Sequence, residues 1–266
     1  MHEMEKIMRS KPLWVGTSWK MNKTPGEARQ AAEALAEIAL PSHISSFVIP
    51  PFTSIADISR ILEKSPFQVG AQNMHWEDEG AWTGEISAPM IKESGATIVE
   101  VGHSERRTYF NETDVTVNLK VAAAVRHGLT PLICIGDTAE DHHFSATHET
   151  LARQARIALH GLTSAQVCKV LFAYEPVWAI GAKGRAAAPD FVQDAHARLR
   201  QHLTEIYGAE TARAVNILYG GSVSLQNAAQ YVGQKDIDGI FIGRAAWAPK
   251  DFAAIIEACA ASSTRQ

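Results

Sequence analysis

KVLFAYEPVWAIG, residues 169–181, combines a structural signal with a chemical one. Residues 169–174 form a short, nearly unbroken apolar and aromatic run. A strand apolar on both faces is buried on both faces, as in a parallel sheet covered by helices. Glu175 ends the run and is followed by more apolar residues, an expensive place for a charge. Desolvation there would raise its pKa and make it a stronger base, although a glutamate capping a neighbouring helix has the same local sequence.

Seven further runs resemble this one: 13–18 (LWVGTS), 46–49 (SFVI), 67–71 (FQVGA), 97–101 (TIVEV), 130–135 (TPLICI), 214–219 (AVNILY) and 238–242 (DGIFI). Helical patterns lie between them, at 25–40, 53–63, 113–127, 145–160, 189–207 and 250–260. Strands alternating with helices make βαβ units and a parallel sheet. Eight such repeats suit a closed (β/α)8 barrel of the α/β class better than an open doubly wound sheet. The chain has 266 residues and no composition break, and one such barrel takes about 250. A single barrel domain over 13–266 is expected, with residues 1–12 (MHEMEKIMRSKP) as an N-terminal extension.

Composition narrows the function. Twenty-five Lys and Arg against 29 Asp and Glu leave a net charge of -4, so no basic excess points to nucleic acid or an anionic membrane. No apolar run reaches the roughly 18 residues of a membrane span. Cys134, Cys168 and Cys259 are odd in number and form no CxxC pair, which suggests neither a disulfide framework nor a zinc site and fits a reducing cytoplasm. His142, His143 and His148 lack a metal-ligand pattern. There is no G-x-G-x-x-G, no Walker loop, and no G-x-S-x-G around Ser222.

In α/β barrels the chemistry sits just past the strands' C-terminal ends. After the first strand come Ser18-Trp19-Lys20-Met21-Asn22. Lys20 there is either a fixed charge for an anionic substrate or a solvated surface lysine. After the fourth come Gly102-His103-Ser104-Glu105-Arg106-Arg107. His103 stands where a helix should begin, which disfavours imidazolium and suits a neutral hydrogen-bond donor, or else it is a structural histidine. Glu105 is a first-turn helix acid or a partner for a nearby lysine. The loops after the last two strands, Tyr219-Gly220-Gly221-Ser222 and Ile242-Gly243-Arg244, fall where barrels commonly bind phosphate, though Gly-Gly-Ser also makes ordinary turns.

Taken in order, SWKMN (18–22), GAQN (70–73), TGEIS (83–87), GHSERR (102–107), CIG (134–136), AYEPVWAIG (173–181) and YGGSV (219–223) resemble the triosephosphate isomerase family along nearly the whole chain. The resemblance implies a TIM barrel and a cis-enediol mechanism in which Glu175 moves a proton between adjacent carbons. It implies that His103 polarises the carbonyl, that Lys20 stabilises the enediolate and that Glu105 orients Lys20. It assigns phosphate contacts to Gly181, Ser222 and Gly243, and gives Thr83 the position that reaches a partner subunit's site in a homodimer. It implies no metal and no organic cofactor. The pairing of a glutamate base with a neutral histidine is a known worked case of this family.

Three departures fall near the substrate. The family has asparagine at Ser18 and usually a second glycine at Arg244, and the lid 181–186 (GAKGRA) differs, with one extra residue before Pro189. Ser18 would leave room for another carbon, and Arg244 would pair with phosphate or a substrate hydroxyl, or form a salt bridge at the rim. VGTSWKMNKT (15–24), GAQNMHWEDEGAWTGEIS (70–87) and IDGIFIGRAAW (237–247) resemble the erythrulose-phosphate isomerase branch. That branch interconverts L-erythrulose 1-phosphate and D-erythrulose 4-phosphate in tetritol catabolism, including that of erythritol. An ordinary triosephosphate isomerase and a non-catalytic sugar-phosphate sensor are the alternatives.

Overall fold

The computed structural model describes residues 11–181 and 184–263. Eight parallel strands close in sequence order: β1 (Leu13–Ser18), β2 (Ile44–Ile49), β3 (Phe67–Ala71), β4 (Ile98–Val101), β5 (Thr130–Ile135), β6 (Leu171–Tyr174), β7 (Asn216–Tyr219) and β8 (Gly239–Ile242). Closure is made by β1 against β8, with Trp14 opposite Gly239 and Thr17 opposite Ile242. The expected single (β/α)8 barrel is the observed fold. Of the stretch 1–12, residues 1–10 lie outside the described residues, and the Lys11 ammonium donates to Val215 O at 2.8 Å.

Side chains alternate along a strand, so each strand feeds two cores. One residue set faces the helices: Val15, Val48, Val99, Ile133, Phe172, Ile217 and Ile240 join the larger apolar cluster. The other set fills the barrel: Phe47, Ile49, Ile98, Leu132, Cys134, Leu171, Ala173, Leu218 and Phe241 form a separate cluster. A Cβ on Gly16 would lie 2.0 Å from Phe47 Cζ, so glycine there makes room for that ring. Ser18, Glu100 and Glu175 continue the inward-facing rows of β1, β4 and β6.

Helix starts follow from local chemistry. Thr24 caps Pro25–Ala36 through a capping box with Glu27, and Pro25 supplies a preset first turn. The helical stretches expected at 113–127, 145–160 and 189–207 are Asp114–Arg126, Thr147–Ala158 and Pro189–Tyr207. The helices Ala88–Glu93, Ser104–Tyr109, Ala139–His143, Ser164–Val167, Ala209–Ala214 and Ala228–Val232 are additional. They are too short for a 3.6-residue period to show in sequence. Among the described residues no helix is long and apolar enough to cross a membrane.

Candidate active site

A pocket of about 740 Å³ opens at the C-terminal ends of the strands. It is lined by Ser18, Lys20, His103, Glu105, Glu175, Gly181, Ser222, Gly243 and Arg244, among others. Segments more than 200 residues apart thus meet in one cavity, because barrel closure sets β8 beside β1. Thr83 is elsewhere: it is exposed on the loop after β3. Trp82 beside it packs its ring against His75 in a tilted arrangement, ring centroids 4.4 Å apart.

His103 caps the helix Ser104–Tyr109, its Nδ1 accepting from the Glu105 backbone N–H at 3.1 Å. That bond leaves the hydrogen of a neutral imidazole on Nε2. Nε2 lies 3.5 Å from Glu175 Oε1 and 3.9 Å from Glu100 Oε1. The loop is held tightly. Gly102 takes φ +75°, open to glycine at no steric cost. Its carbonyl accepts from Arg107 Nε at 2.7 Å and its N–H donates to Glu112 at 3.2 Å. Glu112 also takes Arg106 Nε at 3.1 Å and the Lys120 ammonium. The paired arginines of the motif therefore anchor the histidine loop.

Lys20 adopts φ +53°, a costly backbone for a residue with a side chain. Its ammonium donates to Glu105 Oε1 at 2.7 Å. Both sequence readings of Glu105 hold, since it is also in the first turn of its helix. Lys20 is three-quarters covered on its side chain and faces the pocket, so the solvated-surface reading falls.

Glu175 is 3 % exposed. Its N–H donates to Ile135 O at 2.7 Å, continuing the β5–β6 ladder past the strand's end. Oε2 is buried without a hydrogen-bond partner, while the backbone N–H of Ser104, at the start of the helix Ser104–Tyr109, donates to the Glu175 carboxylate, so the helix-capping reading stands beside that of a buried base. Gly220 makes room for it: a Cβ there would lie 2.7 Å from Glu175 Cγ. The segment beyond is pinned by Asp137, which accepts from Tyr174 OH at 2.9 Å and Trp178 Nε1 at 3.0 Å. Ser222 Oγ donates to Ala179 O at 2.6 Å, tying the loop after β7 to the same segment. Lid residues 182 and 183 lie outside the described residues. Arg244 has no carboxylate partner among the described residues, which removes the rim salt bridge.

The sequence model of the family described as triosephosphate isomerase matches residues 13–259. The chain belongs to the triosephosphate isomerase family. As a member of that family it is a sugar-phosphate isomerase. Several similar proteins are named L-erythrulose-1-phosphate isomerase. The one from Rhizobium etli is 48 % identical over 256 residues, 95 % of this chain and 94 % of the relative. The one from Mesorhizobium japonicum is 51 % identical over 237 residues, 88 % and 92 %. The one from Mycolicibacterium smegmatis is 46 % identical over 253 residues, 94 % of each.

The charges of this triosephosphate isomerase-family site push its titrations apart. Burial, reinforced by the Glu100 charge, raises Glu175 to about 8. Burial, then the Lys20 charge, lowers His103 to about 4, so the ring is neutral at pH 7. Burial pulls Lys20 down, but its bond to Glu105 and the charges of Glu175, Glu105 and Glu100 outweigh that, and the ammonium is held above its usual value. Burial pushes Glu105 up, but the Lys20 bond together with the His103 and Lys20 charges outweighs it, leaving Glu105 below the usual range. The two partners agree that the pair is ionised.

One residue of the site escaped the sequence reading. Glu100, in the run TIVEV, is 3 % exposed, accepts from Ser18 Oγ at 3.0 Å, and is raised to about 7, mainly by burial. The signal was the one that marks Glu175, a carboxylate inside an apolar run. Glu100, Cys134 and Glu175 also bring one potential ligand atom each within 4.8 Å of one another. Burial, with the two carboxylates, drives the Cys134 thiol well above its usual pKa.

Proposed function

We propose that this protein interconverts L-erythrulose 1-phosphate and D-erythrulose 4-phosphate through a cis-enediol, with Glu175 as the base. The likeness to L-erythrulose-1-phosphate isomerases over nearly the full length of both chains carries the four-carbon reading. Glu175 takes the proton from C3 of L-erythrulose 1-phosphate. The electron pair left behind forms the C2–C3 double bond, and the C2 carbonyl becomes the enediolate oxygen. Lys20 and the Nε2–H of His103 stabilise that oxygen as charge develops. His103 moves the hydroxyl proton from the C3 oxygen to the C2 oxygen, and Glu175 returns its proton to C2. The ketone now stands at C3, which is C2 of D-erythrulose 4-phosphate when the chain is numbered from its other end.

Glu105 holds Lys20 in place. Gly181, Ser222 and Gly243 contribute phosphate contacts, and Arg244, without a carboxylate partner among the described residues, adds a charge for phosphate or a hydroxyl. Ser18 borders the extra carbon. Neither metal nor organic cofactor is needed, since side-chain charges and backbone dipoles stabilise the intermediate.

The test follows C–H exchange by NMR in deuterated water. Exchange faster with L-erythrulose 1-phosphate than with dihydroxyacetone phosphate is the expected result. The reverse order sinks the four-carbon reading in favour of triosephosphate isomerisation, which the shared family machinery equally supports. No exchange with either makes the protein a sensor. In the same assay, Ser18→Asn is expected to shift preference toward three carbons.

The reading extends to assembly and setting. Met21 is 99 % exposed, and Tyr109 and Phe110 are also large, apolar and exposed. With Thr83 on its projecting loop they suit a homodimer in which Thr83 completes the partner's site. Sedimentation equilibrium should give twice the 28.9 kDa chain mass; a fully active monomer would refute this. A cytoplasmic place in tetritol catabolism, with no nucleic-acid or membrane partner, fits three free cysteines and the mild negative charge. Its recovery with a membrane fraction would count against that location.

A further inference from the structure

The isomerisation as described makes no use of Glu100, yet a carboxylate in the barrel is costly. It shares its inward row with Ile98 and stands opposite Leu132 of β5, and desolvating such a group costs several kcal/mol unless it is well hydrogen-bonded. One hydrogen bond partly offsets this, from Ser18 Oγ to Glu100 Oε2 at 3.0 Å. The other oxygen lies 4.0 Å from the Cys134 thiol and 3.9 Å from His103 Nε2, and the Glu175 carboxylate comes within 4.8 Å of the group.

The direction of the Ser18 bond matters. Ser18 lines the pocket, and Glu100 stands behind it. A hydroxyl has one hydrogen and two lone pairs. With its hydrogen given to Glu100, Ser18 presents only lone pairs to the substrate. The ionised Glu100 carboxylate can only accept, so this orientation is fixed while Glu100 is charged.

We propose that Glu100 is a positioning residue for substrate length: by taking the Ser18 hydrogen it makes Ser18 an acceptor for the terminal hydroxyl of a four-carbon ketose phosphate. This rests on the four-carbon reading. A triose in the same frame lacks that hydroxyl and leaves the Ser18 lone pairs unpaired in a buried corner. A pocket that discriminates by one carbon's volume gains only about 10- to 200-fold, whereas one built to bond a hydroxyl rejects the analogue lacking it by about 10⁴-fold.

The test measures kcat and KM on L-erythrulose 1-phosphate and dihydroxyacetone phosphate for wild type, Glu100→Leu, Glu100→Gln, Ser18→Ala and the Ser18→Ala/Glu100→Leu double variant. Glutamine can still accept from Ser18; leucine cannot. Glu100→Leu and Ser18→Ala should each lower the four- to three-carbon ratio of kcat/KM by at least about 10-fold. Glu100→Gln should restore the ratio to within a few-fold of wild type, and the double variant should fall no further than the singles. If Glu100→Leu does not fold, Ser18→Ala and Glu100→Gln decide alone. A ratio indifferent to Ser18→Ala, equal losses on both substrates, or a Glu100→Gln as indiscriminate as Glu100→Leu overturns the inference and leaves the four-carbon reading standing. A wild type that prefers dihydroxyacetone phosphate overturns that reading and the inference with it.

Discussion

Glu175→Gln should lower kcat by roughly 10²–10⁴-fold with little change in KM. Glutamine has the same shape and still fits over Gly220, so the pocket and its phosphate contacts persist while the proton acceptor is lost. A variant within a few-fold of wild-type kcat would overturn the assignment of the base. The same change should alter stability in a pH-dependent way. The folded-state pKa of Glu175 is about 8, above the usual 4.5. The folded chain therefore holds this proton more tightly than the unfolded chain does. The stability that comes from the neutral form is complete below about 4.5 and is lost as pH rises through about 8. Glu175→Gln, permanently neutral, should melt at a higher temperature than wild type above pH 8, the gap closing as pH falls toward 5. A gap that widened on acidification would contradict the raised pKa.

Lys20→Met should cost about 10²–10³-fold in kcat, since it removes a fixed charge from a desolvated site, and should raise KM for any phosphorylated substrate. Its pH profile should move as well. The Lys20 charge lowers the pKa of both Glu175 and Glu100. Without it, protons leave Glu175 only at higher pH, so the acid limb of kcat/KM should shift upward. A limb that stays in place would mean that Lys20 does not act on the base electrostatically. Glu105, left without its 2.7 Å partner, should lose the depression of its own pKa.

Most of the barrel was legible because its strands are buried on both faces. Such strands are apolar at every position, and KVLFAYE or TPLICI stand out against the amphipathic stretches between them. Glu175 was legible for the same reason, as a charge where none is expected. Lys20, His103 and Glu105 carried equivocal local signals; the choice between a surface lysine and a site lysine came from the fold, which set Lys20 against Glu105 across 85 positions of sequence.

By itself, then, the sequence determined the alternation of strand and helix, the single domain, the family, and the strand-end residues around which chemistry could be built. These depend on local burial and spacing, which a linear pattern records. Only the tertiary structure decided that Glu100 faces inward to Ser18, that Arg244 has no carboxylate partner among the described residues, and that Thr83 stands outside its own chain's pocket. Each depends on which strands lie side by side after closure, a property of distances between residues far apart in the chain. Two carboxylates that read as separate events in TIVEV and AYEP become one electrostatic unit around His103 because the barrel brings β4, β5 and β6 together.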